Sequence, residues 1–150
     1  MRIVLQRVAR ASVRVRDELV AEIGPGLLLL VASGKDDTEN EPERLAKKVH
    51  DLRIFEDDAG KMNRSIADVD GEILVVPQFT LYGDCRKGRR PSFIDAAPAA
   101  VSEPLYEAFA GRLAESGVRT ARGVFGAQMK VRLLNDGPVT VIVEKDATDP

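Results

Sequence analysis

Tryptophan is absent from this 150-residue chain, and Cys85 and His50 are the only cysteine and the only histidine. A single cysteine excludes a disulfide framework within the chain and fits a reducing cytoplasmic setting. A single histidine leaves no His/Cys cluster of metal-ligand type, so no metal and no cofactor is expected. Aromatic residues make up only 5% of the chain. Its core must therefore come from Val, Leu, Ile and Ala. The longest apolar run, Leu27 to Ala32, falls far short of the roughly 20 residues of a membrane span. Strand pattern begins at the first residues, so no signal peptide is expected. Charge of one sign is lacking too: the formal net charge is −2, and bulk electrostatics do not announce a nucleic-acid binder.

Charge is instead distributed locally. Residues 1–16 carry Arg2, Arg7, Arg10, Arg14 and Arg16 with no acid, and residues 86–90 read Arg-Lys-Gly-Arg-Arg. Acids collect at Asp36 to Glu43 and at Glu56 to Asp58. A near-neutral chain with two basic patches can hold a polyanion on one face. The length suits one domain, expected over residues 1–150 with a loose tail from Asp146 to Pro150.

Ile3 to Val15 reads as a long strand. Arg10, Ser12, Arg14 and Arg16 alternate with Ala11, Val13 and Val15. Carried back, the apolar face holds Ile3, Leu5, Arg7 and Ala9. Arg7 is then either turned outward by a β-bulge or directed inward, where it needs acceptors such as the carbonyls of a turn. Val20 to Ile23 and Leu27 to Ser33 follow, the latter apolar on both faces, and the three strands suggest an antiparallel meander. Thr38 and Glu41 form a capping-box pattern ahead of a helix with Leu45, Val49 and Leu52 on one face. Leu52 to Phe55 and Glu72 to Val76 read as strands. Residues 83–101 form a long loop of the kind that carries function. Ser102 is placed to cap a second helix with the stripe Leu105, Phe109 and Leu113, ended by Gly117. Met129 to Leu134 and Val139 to Glu144 flank Asn135-Asp136-Gly137-Pro138, which local chemistry reads as a hairpin turn with an inconvenient proline. The fold expected is α+β: a mostly antiparallel, barrel-like sheet with two packed helices.

Catalytic inventory is thin. A Ser/His/Asp triad would need His50, which lies in a helix far in sequence from any candidate pocket. Cys85 has basic neighbours but no histidine, and there is no nucleophile elbow, phosphate loop or dinucleotide fingerprint. What remains is Pro77-Gln78-Phe79-Thr80 at the end of a core strand. It reads either as an ordinary strand end with Phe79 in the core or as a set of backbone N–H groups able to hold an oxyanion.

Two segments together resemble the D-aminoacyl-tRNA deacylase family: Pro77-Gln78-Phe79-Thr80-Leu81 and Asn135-Asp136-Gly137-Pro138-Val139-Thr140. Gln6-Arg7-Val8, Lys61-Met62-Asn63, Arg90-Pro91-Ser92-Phe93, and Phe125 with Met129 look like the family too. The resemblance implies a cytoplasmic homodimeric hydrolase, with its active site at the subunit interface. It would cleave the ester that joins a D-amino acid, or misplaced glycine on an alanine tRNA, to tRNA. By the same resemblance Gly137 and Pro138, joined by a cis bond, act as the chirality filter in the partner's pocket. Gln78, Phe79 and Thr80 surround the scissile ester, Arg7 braces the Gly-Pro turn, Phe125 and Met129 line the adenosine side, and Asn135 supports the filter segment. The chain departs from the family at Pro77, where the family carries Ser. Pro77 occurs in a related branch that removes L-alanine from a threonine tRNA. That activity and a non-catalytic RNA-binding scaffold are the competing readings.

Overall fold

The expected N-terminal strand is the axis of the molecule. The computed structural model describes residues 1–144, so the tail expected from Asp146 lies outside the described residues. Strand β1 (Arg2–Val15) carries β8 (Lys130–Glu144) along one edge. Along the other edge it pairs first with β3 (Gly26–Ala32) and then with β2 (Glu18–Ile23). The meander is thereby corrected: β2 and β3 both pair with β1 rather than following in sequence. A strand of 14 residues is long enough to offer separate stretches to both.

Next to β3 come β6 (Glu72–Pro77) and β7 (Thr120–Arg122), both parallel to their neighbours. Parallel neighbours need crossovers. One holds helix α1 (Glu41–Asp51) and the small β4–β5 ribbon (Phe55–Glu56 and Met62–Arg64); the other holds α2 (Ala99–Glu115). The sheet curls until β2 lies against β6 and β7, and Arg119 Nη1 donates to the Glu22 carbonyl at 3.3 Å across the closure. The result is a nearly closed barrel with two helices on one outer face. No helix of the described residues is long and apolar enough to cross a membrane.

Strand alternation divides the core in two. Leu27, Leu29, Ile73 and Val75 face the helices, where they meet Leu45, Val49, Phe109 and Leu113. Leu28, Leu74 and Val76 face the barrel interior with Val8, Ala11 and Val13. The continuous apolar run in β3 is thus covered on both sides, as expected.

Several boundaries differ from expectation. Helix α1 is capped by Asn40, not Thr38; Thr38 instead donates both its N–H and its hydroxyl to Glu41 Oε2. Leu52 closes that helix, donating to the Lys48 carbonyl at 3.1 Å, which leaves only Phe55–Glu56 extended. Helix α2 begins at Ala99 behind Pro98, so Ser102 is a buried residue inside it and not its cap. The largest correction concerns the hairpin. β8 does not reverse: both halves run antiparallel to β1, with Arg14 opposite Lys130 and Arg2 opposite Glu144. Gln6 pairs with Thr140 and Val8 with Asn135. The residues between Asn135 and Thr140 therefore stand out as an excursion from a continuous strand. Asn-Asp-Gly chemistry bends the chain in either case; the length of β1 decides that both halves stay paired to it.

Candidate active site

β6 ends at Pro77, in register with Val31 of β3, and the Gln78 N–H donates to the Val31 carbonyl at 2.8 Å. The chain then turns into a 3-10 helix, Phe79–Tyr82. The first N–H groups of a helix have no acceptor inside it, so the start of this turn presents backbone donors. Arg2 holds the turn from behind: its Nη1 donates to the Leu81 carbonyl at 2.6 Å, and its guanidinium lies 4.7 Å over the Tyr82 ring. The Gln78 amide donates to the Thr80 hydroxyl. Phe79 is 58% exposed and meets Phe93 edge-on at 5.2 Å, which corrects the reading that buried it in the core.

A cavity of about 530 Å³ opens beside this turn. Pro77, Gln78 and Phe79 form one side, and Phe125 and Met129 another. Thr80 is exposed and off its wall. Tyr106 of α2 also lines the cavity; its ring lies 6.0 Å from that of Phe125, and its hydroxyl donates to the Val75 carbonyl at 3.0 Å. Burial pushes the Tyr106 hydroxyl well up from its ordinary value, so it stays neutral and serves as a wall. Ser33 and Ser102 belong to the same cavity. Sequence reading missed Ser33, which merely ends an apolar run, and took Ser102 for a cap. A second cleft, of about 520 Å³, lies behind the turn, flanked by the Lys35–Asp95 and Arg86–Asp84 ion pairs. Arg86 beside Asp84 draws that carboxyl down to about 2.

Gly137 and Pro138 lie outside the cavity, exposed on the excursion from β8, and the bond between them is cis. Two side chains, Arg7 and Asn135, fix the excursion. Arg7, only 8% exposed, points inward and donates Nε to the Asp136 carbonyl at 3.0 Å and Nη1 to the Ile54 carbonyl at 2.8 Å. Those carbonyls are the acceptors an inward guanidinium requires. Asn135 Oδ1 accepts the Val139 N–H at 3.0 Å, and its Nδ2 donates to the Thr140 hydroxyl at 3.1 Å. Gly137 has φ +131, and a Cβ there would sit 2.9 Å from both Arg7 Nη2 and Val139 Cγ2. His50 and Cys85 have no part in the site: His50 pairs with Asp51, and Cys85 is exposed on the loop. Among the described residues no group of three His, Cys, Asp or Glu could hold a metal.

A small barrel with a backbone-built site at a strand end is the class that fold and geometry define. The family model for D-Tyr-tRNA(Tyr) deacylase matches residues 4–144, and the chain belongs to that family. It is 58% identical over 144 residues to a D-aminoacyl-tRNA deacylase of Brevibacillus brevis, covering 96% of this chain and 99% of that protein. It is 55% identical to the protein of that name from Thermotoga petrophila, covering 96% and 97%. Among solved structures, a c-Myc DNA Unwinding Element Binding Protein superposes with TM-score 0.91 at 41% identity, covering 98% of this chain and all of that one. A probable eukaryotic D-amino acid tRNA deacylase shares the fold, with TM-score 0.83 at 22% identity over 95% and 97% of the two chains.

Proposed function

We propose that this protein hydrolyses the ester of D-aminoacyl-tRNA and of glycyl-tRNA formed on an alanine tRNA, and spares L-aminoacyl-tRNA. The observation that carries the reading is a division. The cavity holds Pro77, Gln78, Phe79, Phe125 and Met129, while Gly137 and Pro138 stand outside it on a braced, exposed excursion. A homodimer that brings the excursion of one protomer to the cavity of the other completes the site. Water attacks the ester carbonyl, the Phe79 N–H receives the developing oxyanion, and the ribose oxygen leaves with a proton. No side chain in the cavity is an evident base. The exposed Thr80 hydroxyl stands off the cavity wall, so the scheme rests on backbone donors and the RNA 2′-OH. No metal or cofactor enters this scheme.

The filter works by exclusion. Two enantiomers carry the same groups, so attraction separates them poorly, whereas rigid backbone at Gly137 and Pro138 leaves no room for an L side chain. Glycine passes such a filter because it has no side chain. Arg10 and Arg14 of β1 face Leu134 and Lys130 of β8, with Arg132 opposite Ser12. That exposed basic strip, with Lys87, Arg89 and Arg90, suits RNA phosphates without reading sequence. A role in translation places the protein in the cytoplasm.

The test is release of D-tyrosine against L-tyrosine from tyrosyl-tRNA at limiting enzyme. D-selective release is expected, and equal or absent release sinks the proposal. Pro77 on the cavity wall supports a second reading, L-alanine removal from threonine tRNA. Release of L-alanine without D-tyrosine would establish it.

A further inference from the structure

The excursion has a second clasp on β1. Gln6 pairs with Thr140 and Val8 with Asn135, so only Arg7 of β1 lies between those pairs, against residues 136–139 of β8. Consecutive strand residues point to opposite faces of a sheet. Arg7 lies opposite Leu27, which packs toward the helices, and Gln6 lies opposite Leu28, which faces the barrel interior. β1 thus offers one polar side chain on each side of the excursion. Arg7 donates to the Asp136 carbonyl at the entry. Gln6 holds the exit: its Nε2 donates to the Thr140 hydroxyl at 3.3 Å, and Asn135 Nδ2 donates to the same oxygen at 3.1 Å. The Asn135 amide is then fixed at both ends, because its Oδ1 accepts the Val139 N–H at 3.0 Å. A path of hydrogen bonds runs from Gln6 through the Thr140 hydroxyl and Asn135 to the backbone beside Pro138. Among the described residues the Gln6 and Thr140 side chains have no other hydrogen-bond partner. Thr140 is exposed and Gln6 half-buried, so neither belongs to the core. Their bonds serve the neck of the excursion.

We infer that Gln6 and Thr140 are positioning residues for stereochemical selection, holding the neck through Asn135 so that Gly137 and Pro138 keep one place. The inference rests on the deacylase reading, in which Gly137 and Pro138 reject L side chains. Rejection by rigid backbone is only as sharp as the placement of that backbone. Arg7 fixes the entry. Without the clasp at the exit the excursion pivots about the Asp136 carbonyl, and the pivot opens room for a side chain. The Thr140 hydroxyl is the hub, since it accepts from both amides, and Gln6 acts through it.

The experiment compares D- and L-tyrosine release from tyrosyl-tRNA by the native protein, Thr140→Val, Thr140→Ser, Gln6→Leu and the double variant of Gln6→Leu with Thr140→Val. Thr140→Val keeps the shape of the side chain and deletes the hydroxyl. It should raise the ratio of L- to D-tyrosine release, in kcat/KM, about tenfold. Thr140→Ser keeps the hydroxyl and should hold the ratio within about twofold of native. Gln6→Leu should raise the ratio about threefold, and the double variant should match Thr140→Val, because Gln6 works through the hydroxyl already lost. A native ratio in Thr140→Val overturns the inference, as does a Thr140→Ser that behaves like Thr140→Val, or a Gln6 effect that multiplies in the double variant. A merely structural role lowers both releases with the folded fraction and leaves their ratio alone, which also overturns it. Amide hydrogen exchange at Val139, followed by NMR, reads the clasp without substrate. It should quicken about tenfold in Thr140→Val and stay near native in Thr140→Ser; unchanged exchange in Thr140→Val overturns the inference. Absence of any D-tyrosine release by the native protein would defeat the deacylase reading, while the exchange rates still decide whether Gln6 and Thr140 hold the neck.

Discussion

The turn at Gln78–Tyr82 and the excursion at Asn135–Val139 both interrupt a strand, but they are held in opposite ways. The turn is held largely by backbone: Gln78 to Val31, Leu81 to Gln78, and Gly83 to Thr80. It faces the protein's own cavity. The excursion is held by side chains, Arg7 and Asn135, and it faces away. Backbone-held donors suit an oxyanion, whose position is set by the fold. A side-chain-braced loop suits a part presented to another molecule, because its shape must survive without support on its outer side. One protomer thus carries both parts of the proposed site without joining them.

The largest effect is expected at Arg7. Arg7→Ala removes two charge-assisted bonds and strands the Asp136 and Ile54 carbonyls. Loss of about 3 kcal/mol in denaturant unfolding is expected, with D-tyrosine release falling more than about a hundredfold. A fully active Arg7→Ala would break the contrast, since the excursion would then need no brace. Gly137→Ala comes next. Its φ of +131 and the 2.9 Å approaches to Arg7 and Val139 strain any side chain there. A destabilisation of about 1–3 kcal/mol is expected, and the ratio of D- to L-tyrosine release should fall because the filter shifts. An unchanged ratio would remove Gly137 from the filter. At the turn, Phe79→Ala should barely alter stability, by less than about 1 kcal/mol, because only the edge contact with Phe93 is lost. Its activity should stay measurable if the N–H, not the ring, is the catalytic part. Smallest is the acid response of the loop beyond the turn. Arg86 holds Asp84 at about 2, below the unfolded carboxylate. Its contribution is therefore complete above pH 4 and lost as pH falls through about 2. Arg86→Ala should flatten stability in that window alone, as read by acid titration of unfolding.

The apolar run of β3 and the stripe of α2 were legible because each follows from a local period, whereas the pattern left Arg7 open between an outward bulge and an inward guanidinium that needs acceptors. The continuity of β8 was not. Asn-Asp-Gly bends a chain whether it reverses or bulges, and the deciding fact is the reach of β1, a partner more than a hundred residues away. Ser102 was misread because Ser before a helical stripe is the usual cap, whereas Pro98 starts the helix a turn earlier. Ser33 gave no signal, since its place on the wall is visible only once the cavity is. Gln78 and Gly137 drew attention as motifs, but their separation within one protomer is a property of the fold.

Mixing two inactive variants tests the shared site most directly. One variant is disabled at the turn, Gln78 and Phe79 replaced together, and the other at the excursion, Gly137 and Pro138 replaced together. After subunit exchange about half the dimers are mixed, each with one intact site of two, so D-tyrosine release should recover to about a quarter of native. No recovery, with exchange confirmed by mass, would place both halves of the site in one protomer and contradict the division described above.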